Sequence, residues 1–216
     1  MGNFQILHFS SVSSTQEIAK MILRENVVVV ADEQREGRGR KGRRWFSPYG
    51  GLWMTIILKD FNSQLLTLAA GIAVAKTLES FGVRSKIKWP NDIIIEGKKV
   101  AGILAEKHKD FVLLGIGVNL ENEIPEEIKD LATNVRGVKR EEFLLAFLEI
   151  LEEEFKKNKE NILKDWRDYE CTLGKKVSVD DELVGIAADI DDDGFLILEV
   201  DGRRERITAG TLRFLE

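Results

Sequence analysis

The sequence has few of the residues that staple small folds or bind metals. A single cysteine, Cys171, excludes an internal disulfide framework. Beside it stand only two histidines, His8 and His108, so a Cys/His zinc site of the usual kind cannot be built. A metal would have to be a hard cation on oxygen ligands, such as Mg²⁺ on a phosphate. No apolar run approaches the roughly 18 residues of a membrane-spanning helix. The start, "MGNFQILHFSS", has no charged stretch followed by an apolar core, so no signal peptide is expected. With the lone cysteine, this predicts a cytoplasmic setting. No Ser-His-Asp or Cys-His arrangement is evident, and no internal repeat or low-complexity linker interrupts the chain.

What is present is 216 residues, 44% apolar and 32% charged, enough for one domain with a full core plus a small appendage. Abundant Lys and Glu with scarce Gln and Cys is a balance seen in thermophile proteins. "FQILHF" (4–9) alternates weakly, as a strand does. "SSTQEIAKMILRE" (13–25) predicts a helix, with Ser14 as N-cap and Glu17 completing a capping box. "NVVVVAD" (26–32) and "GLWMTIIL" (51–58) predict buried strands. Residues 63–82 predict an apolar helix ended by Gly82. "SKIKWPND" (85–92), a hairpin around "EGKK", and "FVLLGIGVNL" (111–120) follow, then one helical stretch over 140–170. After Cys171, short strands separated by "DDDG" and "VDGR" turns predict a small β-barrel. Helices mixed with hairpin-linked strands make the main part α+β. The expected domains are 1–170 and 171–216.

The segment "EGRGRKGRRWFSPYGGLW" (36–53) stands out. Six of the ten residues from Arg35 to Arg44 are basic, in a chain whose formal net charge is −5. "GRGRKG" (37–42) matches G-x-G-x-x-G after a strand, but "RRWFSPYGG" follows, which cannot open the helix that a dinucleotide fingerprint requires. No G-K-[ST] is present, so it is not a Walker A loop either. Three readings remain: a solvated surface loop, a nucleic-acid contact with Trp45 and Phe46 stacking on bases, or a site for a small phosphorylated ligand. Charge confined to one loop argues against the backbone-tracking stripe of a nucleic-acid binder.

Other short motifs have bland readings when taken singly. In "KWPND" (88–92), Lys88 could be a strand-end lysine before a packed corner. "SSTQ" (13–16) could be a plain helix cap, and "GIGVN" (115–119) a strand loosened by glycine. As an ordered set, with the loop "GRGRKGRRW" (37–45), "AGILAE" (101–106) and Gln34, they resemble the biotin protein ligase family, the loop and "KWPND" being the most specific pair. The similarity runs from about Ile6 to the C-terminus. Gln16 stands where the family usually has Asn. The chain starts at the catalytic segment, so the resemblance predicts a monofunctional ligase without the helix-turn-helix domain of the bifunctional members.

The resemblance implies a catalytic domain like those of biotin ligases and class II aminoacyl-tRNA synthetases, with a C-terminal SH3-like barrel. It implies ATP and biotin as substrates with Mg²⁺, a biotin carboxyl carrier domain as acceptor, and a homodimer paired through a sheet edge. No nucleic acid or membrane is expected as partner. Biotin's carboxylate attacks the α-phosphate of ATP, giving biotinyl-5′-AMP and pyrophosphate. A carrier lysine then attacks the mixed anhydride and releases AMP. The first step brings an anion onto a polyanion, and at about 4 Å and an effective dielectric near 20 each unit-charge pair interacts by roughly 4 kcal/mol. Fixed cations must offset this. Lys88 and Arg40 are the catalytic candidates, with Arg43 beside them.

Ser14, Thr15, Gln16, Gln34, Gly37, Arg38, Gly39, Arg40, Lys88, Gly102 and Leu104 are expected around biotin, and Arg40, Arg43, Trp45, Lys88, Asn91 and Asn119 around the adenylate. No side chain is assigned to a metal. The rivals are a lipoate- or octanoate-transferring enzyme, a nucleic-acid-binding module and a non-catalytic biotin sensor. The first lacks support because its R-R-x-x-G-G-G-type segment is absent.

Overall fold

The computed structural model describes residues 4–59 and 63–215. A seven-stranded mixed sheet organises most of the chain. It contains β1 (Gln5–Val12), β2 (Val27–Gln34), β3 (Leu52–Lys59), β4 (Lys86–Lys88), β5 (Asp92–Ile95), β6 (Lys98–His108) and β7 (Phe111–Val118), in the order β1-β2-β3-β7-β6-β5-β4. Only β1 and β2 run parallel, joined across the short helix α1 (Thr15–Ile22). The remaining pairs are antiparallel. The α+β expectation holds.

Alternation along the strands separates two faces. Val28 and Val30 of β2 face a large core shared with α2 (Ser63–Ser80), α3 (Arg140–Phe155) and α4 (Lys159–Tyr169). Val27 and Val29 face the other way, against Ala19 of α1, with Ile57 and Leu113. α2 ends as its sequence predicts. Gly82 lies at φ 78°, and Gly82 N and Val83 N return to Glu79 O and Leu78 O at 2.8 and 2.9 Å. This is a Schellman closure.

Two local expectations change. Residues 140–170 form two helices, because Asn158 caps the second by accepting from Asn161 N at 2.9 Å. Ser14 caps α1 by accepting from Gln16 N, but Glu17 does not complete the capping box. Its carboxylate turns outward to Lys20 and Arg38, each at 2.9 Å.

Residues 176–214 form a second, wholly antiparallel sheet: β8 (Lys176–Val179), β9 (Leu183–Ile190), β10 (Leu196–Val200), β11 (Arg203–Ile207) and β12 (Leu212–Phe214), ordered β11-β10-β9-β8-β12. The "DDDG" and "VDGR" turns join β9 to β10 and β10 to β11. This sheet is pinned to the first. Gly194 O accepts from Trp89 Nε1 at 3.1 Å and from Gln64 Nε2 at 2.9 Å. Cys171 N donates to Ile87 O at 2.9 Å. Burial pushes the Cys171 thiol pKa up, as suits a packing residue.

A charge network locks the helices. Lys76 on α2 reaches Glu154 at 2.9 Å and Asp165 at 3.1 Å, and Lys157 joins both carboxylates. Glu154 is 1% exposed. Burial would raise the Asp165 pKa, but hydrogen bonds from Lys157 and Lys76 outweigh it and hold that pKa low. Its share of stability is therefore present above the ordinary aspartate range and lost as pH falls through the lowered folded value. Glu154→Ala leaves two ammonium groups to share Asp165 alone, and urea unfolding at neutral pH should show a loss of about 1.5–3 kcal/mol. A midpoint shift equivalent to under about 0.5 kcal/mol, the usual size for a neutral surface change, would show that the network is incidental.

Candidate active site

The site begins with what is missing from one sheet face. On β7, Val112, Leu114, Ile116 and Val118 point into the large core, so Gly115 and Gly117 lie on the opposite face with Leu113. Gly102 and Leu104 of β6 sit directly across from Gly117 and Gly115. Together they floor a cavity of about 290 Å³ beside α1. The glycines are not slack in a strand: their missing side chains make room for Trp45 over Gly102 and Gly117 and for Gln16 over Gly115.

One end of the cavity is polar and rigid. Gln34 Oε1 accepts from Thr15 N at 2.8 Å and from Thr15 Oγ1 at 3.0 Å, while Gln34 Nε2 donates to Ser47 Oγ at 2.8 Å. Thr55 Oγ1 meets Thr15 Oγ1 at 2.8 Å. Ser14 and Gln16 complete this end. Gln16 Nε2 donates to Leu104 O at 3.2 Å, and its Oε1 is buried without a partner.

The glycine-rich segment folds back on itself over the cavity. Isolated antiparallel bridges join Gln34 to Ser47 and Arg38 to Arg44, and Gly39 N donates to Arg43 O at 2.7 Å. Residues Arg40–Gly42 make one 3₁₀ turn. No α-helix opens here, as expected. Gly37 lies behind the wall, and a Cβ there would strike Trp45 O and Ser47 Oγ. Arg38, Gly39, Arg40 and Arg43 line the cavity. Arg40 donates to Asn91 Oδ1 at 3.1 Å, and Asn91 is itself held by Ile103 O at 2.7 Å. Burial, opposed in part by Asp92, lowers the Arg40 pKa from its very high ordinary value, so the group keeps its charge.

Trp45 lies flat on the glycine floor. A Cβ on Gly117 would run into its indole nitrogen, and one on Gly102 would stand 3.1 Å from the ring. Its edge meets Trp53 at 6.5 Å and 73°. The indole N–H is buried without a partner.

The two lysines of this region divide differently from the sequence expectation. Lys88, at the end of β4, is absent from the cavity wall. Its ammonium sits 4.7 Å over the Phe214 ring, and burial, partly offset by Asp92, lowers its pKa. Lys99 lines the cavity instead, 2.5 Å from Asp92 and 4.9 Å over the Trp45 ring. A β-bulge accounts for this. Ile93 pairs with Ala101 and Ile94 with Lys99, so Val100 is an extra residue in β6. The bulge reverses the alternation and puts Lys99 on the face of Gly102. The sequence carries no signal for it beyond the "KK" beside "AGIL".

Of the far wall, only Asn119 was foreseen. Asn119 donates to Thr133 O at 3.0 Å and accepts from Asn122 Nδ2 at 3.2 Å, while Asn134 donates to Asn122 O at 2.8 Å. These asparagines tie down an arch whose Ile124, Pro125, Ile128 and Leu131 face the cavity.

An apolar trough with a fixed polar end and a ring of cations suits a ligand with an apolar body and anionic groups. The chain belongs to the biotin/lipoate A/B protein ligase family, whose model matches residues 8–121, and residues 172–212 match the biotin protein ligase C terminal domain. It is 36% identical to the bifunctional ligase/repressor BirA of Bacillus subtilis, over 98% of this chain and 74% of that protein. It is 35% identical to the biotin–[acetyl-CoA-carboxylase] ligase of Mycobacterium tuberculosis, over 86% and 78%. The biotin protein ligase from Aquifex aeolicus, solved in complex with biotin and ATP, superposes with a TM-score of 0.90 at 33% identity, over 97% of this chain and 99% of that one.

Gly117→Ala tests the floor. The methyl must lift Trp45, and overpacking of this kind costs about 1–3 kcal/mol, so amide exchange in residues 37–45 should quicken roughly tenfold. Unchanged exchange there would mean that the indole is not held by the missing side chain.

Proposed function

We propose that the protein is an ATP-dependent biotin ligase that forms biotinyl-5′-AMP and transfers biotin to a lysine of a carrier domain. The observation that carries this reading is the cationic loop folded over a trough whose other end is the Thr15–Gln34 polar cluster. The thioether ring and valeryl chain of biotin would lie beside the Trp45 ring that covers Gly102 and Gly117, and against Leu104. Ser14 would donate its hydroxyl proton to the ureido carbonyl. Thr15, Gln16 and Gln34 would shape that end, and the Arg38–Gly39 turn would close it.

In the first step a biotin carboxylate oxygen bonds to the α-phosphorus as the bond to the pyrophosphate oxygen breaks. Lys99, Arg40 and Arg43 would hold the charge that gathers there. Lys88, packed on Phe214, would serve as a more distant cation. Asn91 would aim Arg40, and Asn119 would meet the adenine side. Trp45 would bound the adenylate. Its unpaired buried N–H costs roughly 1–3 kcal/mol, which an acceptor on the ligand would recover. In the second step the acceptor amine attacks the acyl carbon, AMP leaves, and the amine's proton passes to solvent.

Mg²⁺ fits here as a companion of ATP and not as a resident ion. Among the described residues no three His, Cys, Asp or Glu side chains gather to hold a metal. The wall itself carries Arg38, Arg40, Arg43, Arg44 and Lys99.

The same reading takes a biotin carboxyl carrier domain as acceptor, the cytoplasm as location, and 1–170 and 171–216 as the domains. A homodimer would use β1, which pairs only with β2 among the described residues, whereas β4 is covered by Glu170 and Cys171. A lipoate ligase on this fold is less well supported, because the second matched domain is that of biotin ligases.

ATP–pyrophosphate exchange should depend on biotin and ignore lipoate. Exchange driven equally by lipoate would sink the assignment. Lys99→Ala should slow the exchange by about 10²–10³-fold, the usual loss for a charge-stabilising group, while Lys88→Ala slows it less. The reverse ranking would return the leading role to Lys88. Arg40→Gly should release biotinyl-AMP and label bystander lysines; strict labelling of the carrier alone would show that Arg40 is no clamp.

A further inference from the structure

Apart from the cations that face the cavity, the loop carries one that faces away from it. Lys41, at the tip, reaches Asp180 in the β8–β9 turn of the C-terminal sheet at 2.6 Å. We propose that this pair is a clasp through which the C-terminal sheet holds the loop closed and so retains the activated intermediate. The retention half rests on the ligase reading above.

Asp180 is a prepared acceptor. Its backbone N donates to Thr211 O at 2.8 Å, and Thr211 N donates to its Oδ1 at 2.7 Å. The same oxygen takes the Lys41 ammonium. The sheet that carries this turn is anchored to the main sheet at its β9–β10 end, where Gly194 O is bonded by Trp89 and Gln64 and Arg167 reaches Asp189 at 3.0 Å. The charge of Asp180 also favours protonated Arg40, the neighbouring cation that does face the cavity. The loop thus has three tethers on three elements: Arg38 to Glu17 of α1, Arg40 to Asn91, and Lys41 to Asp180. Two of them use groups that line the cavity and would meet ligand. Lys41 is free to act on closure alone.

Exposure sets the strength. The side chains of Lys41 and Asp180 are 52% and 34% exposed, so the pair is weak and screened by salt. A latch that opens at every turnover needs that weakness.

The test uses the full chain with K41Q, D180N and the double variant. The amide that replaces the Asp180 carboxylate keeps an oxygen for Thr211 N, so the turn survives. Escape is read as biotinylation of serum albumin per biotinyl-AMP formed. Each single variant should raise it about two- to five-fold, the range an exposed ion pair can supply. The double variant should be no worse than either single, because both remove one interaction. Pyrophosphate exchange should stay near wild type, which a general loss of folding would not allow. Wild-type escape should rise with salt and approach that of the variants. Unchanged escape, or additive effects in the double, would overturn the clasp. Hydrogen exchange of residues 39–43 decides the latch without reference to activity: it should quicken in D180N, and no change would overturn it. A wild-type chain that makes no biotinyl-AMP would instead remove the ligase reading and leave that exchange result standing.

Discussion

The close approach of Trp45 to two bare strand positions governs the rest of the site. Gly102 and Gly117 pair across β6 and β7 and present no side chain to one face of the sheet. Their neighbours Ile103 and Ile116 fill the core on the other face. A strand can therefore be fully packed on one side and bare on the other, because successive residues point to opposite faces. The bare side receives an indole, and the indole carries the cationic loop with it. Any Cβ on that floor would raise the loop and open the trough.

Charge is the second constraint. The chain is acidic overall, yet its cavity is ringed by Arg38, Arg40, Arg43, Arg44 and Lys99. Such a cluster repels itself, and the fold answers with local carboxylates and carbonyls. Glu17 takes Arg38, Asp92 takes Lys99, and the Arg40 carbonyl takes Arg43 Nε at 3.4 Å. These partners lie at the margin of the cavity. An anionic ligand can compete for the cations without first breaking a deeply buried pair, whose desolvation would be severe.

Strand and helix order was largely legible, because β-branched runs such as Val27–Val30 and the Gly82 stop act locally. The joined helix over 140–170 was misread because Asn158 looks like any polar residue on a solvated face until its cap is seen. Most of the site was reachable through motifs whose residues are adjacent in sequence. Ser14, Thr15 and Gln34 do converge, as do Arg40 and Asn91. Beyond Asn119, the arch over 120–134 was not reachable, since its apolar residues gain meaning only when the chain folds back across the cavity. Nor was Thr55, which reads as one more strand threonine and is in fact bonded to Thr15.

The choice between lysines shows where sequence reasoning stops. Lys88 sits in the more conspicuous motif, at a strand end that promises rigid positioning. Lys98 and Lys99 look interchangeable. Strict alternation would give Lys99 the face of Ala101 and Ile103, which is core. The extra residue Val100 cancels that rule at a single point of β6, and both Val100 and Ala101 are buried as a result. Lys98 is left to bond Lys129 O at 2.7 Å on the outside, while Lys99 gains the cavity. A bulge is set by pairing between two strands, so no property of either lysine could announce it. The lysine that lines the cavity is thus selected by backbone register, and its chemistry matters only after that selection.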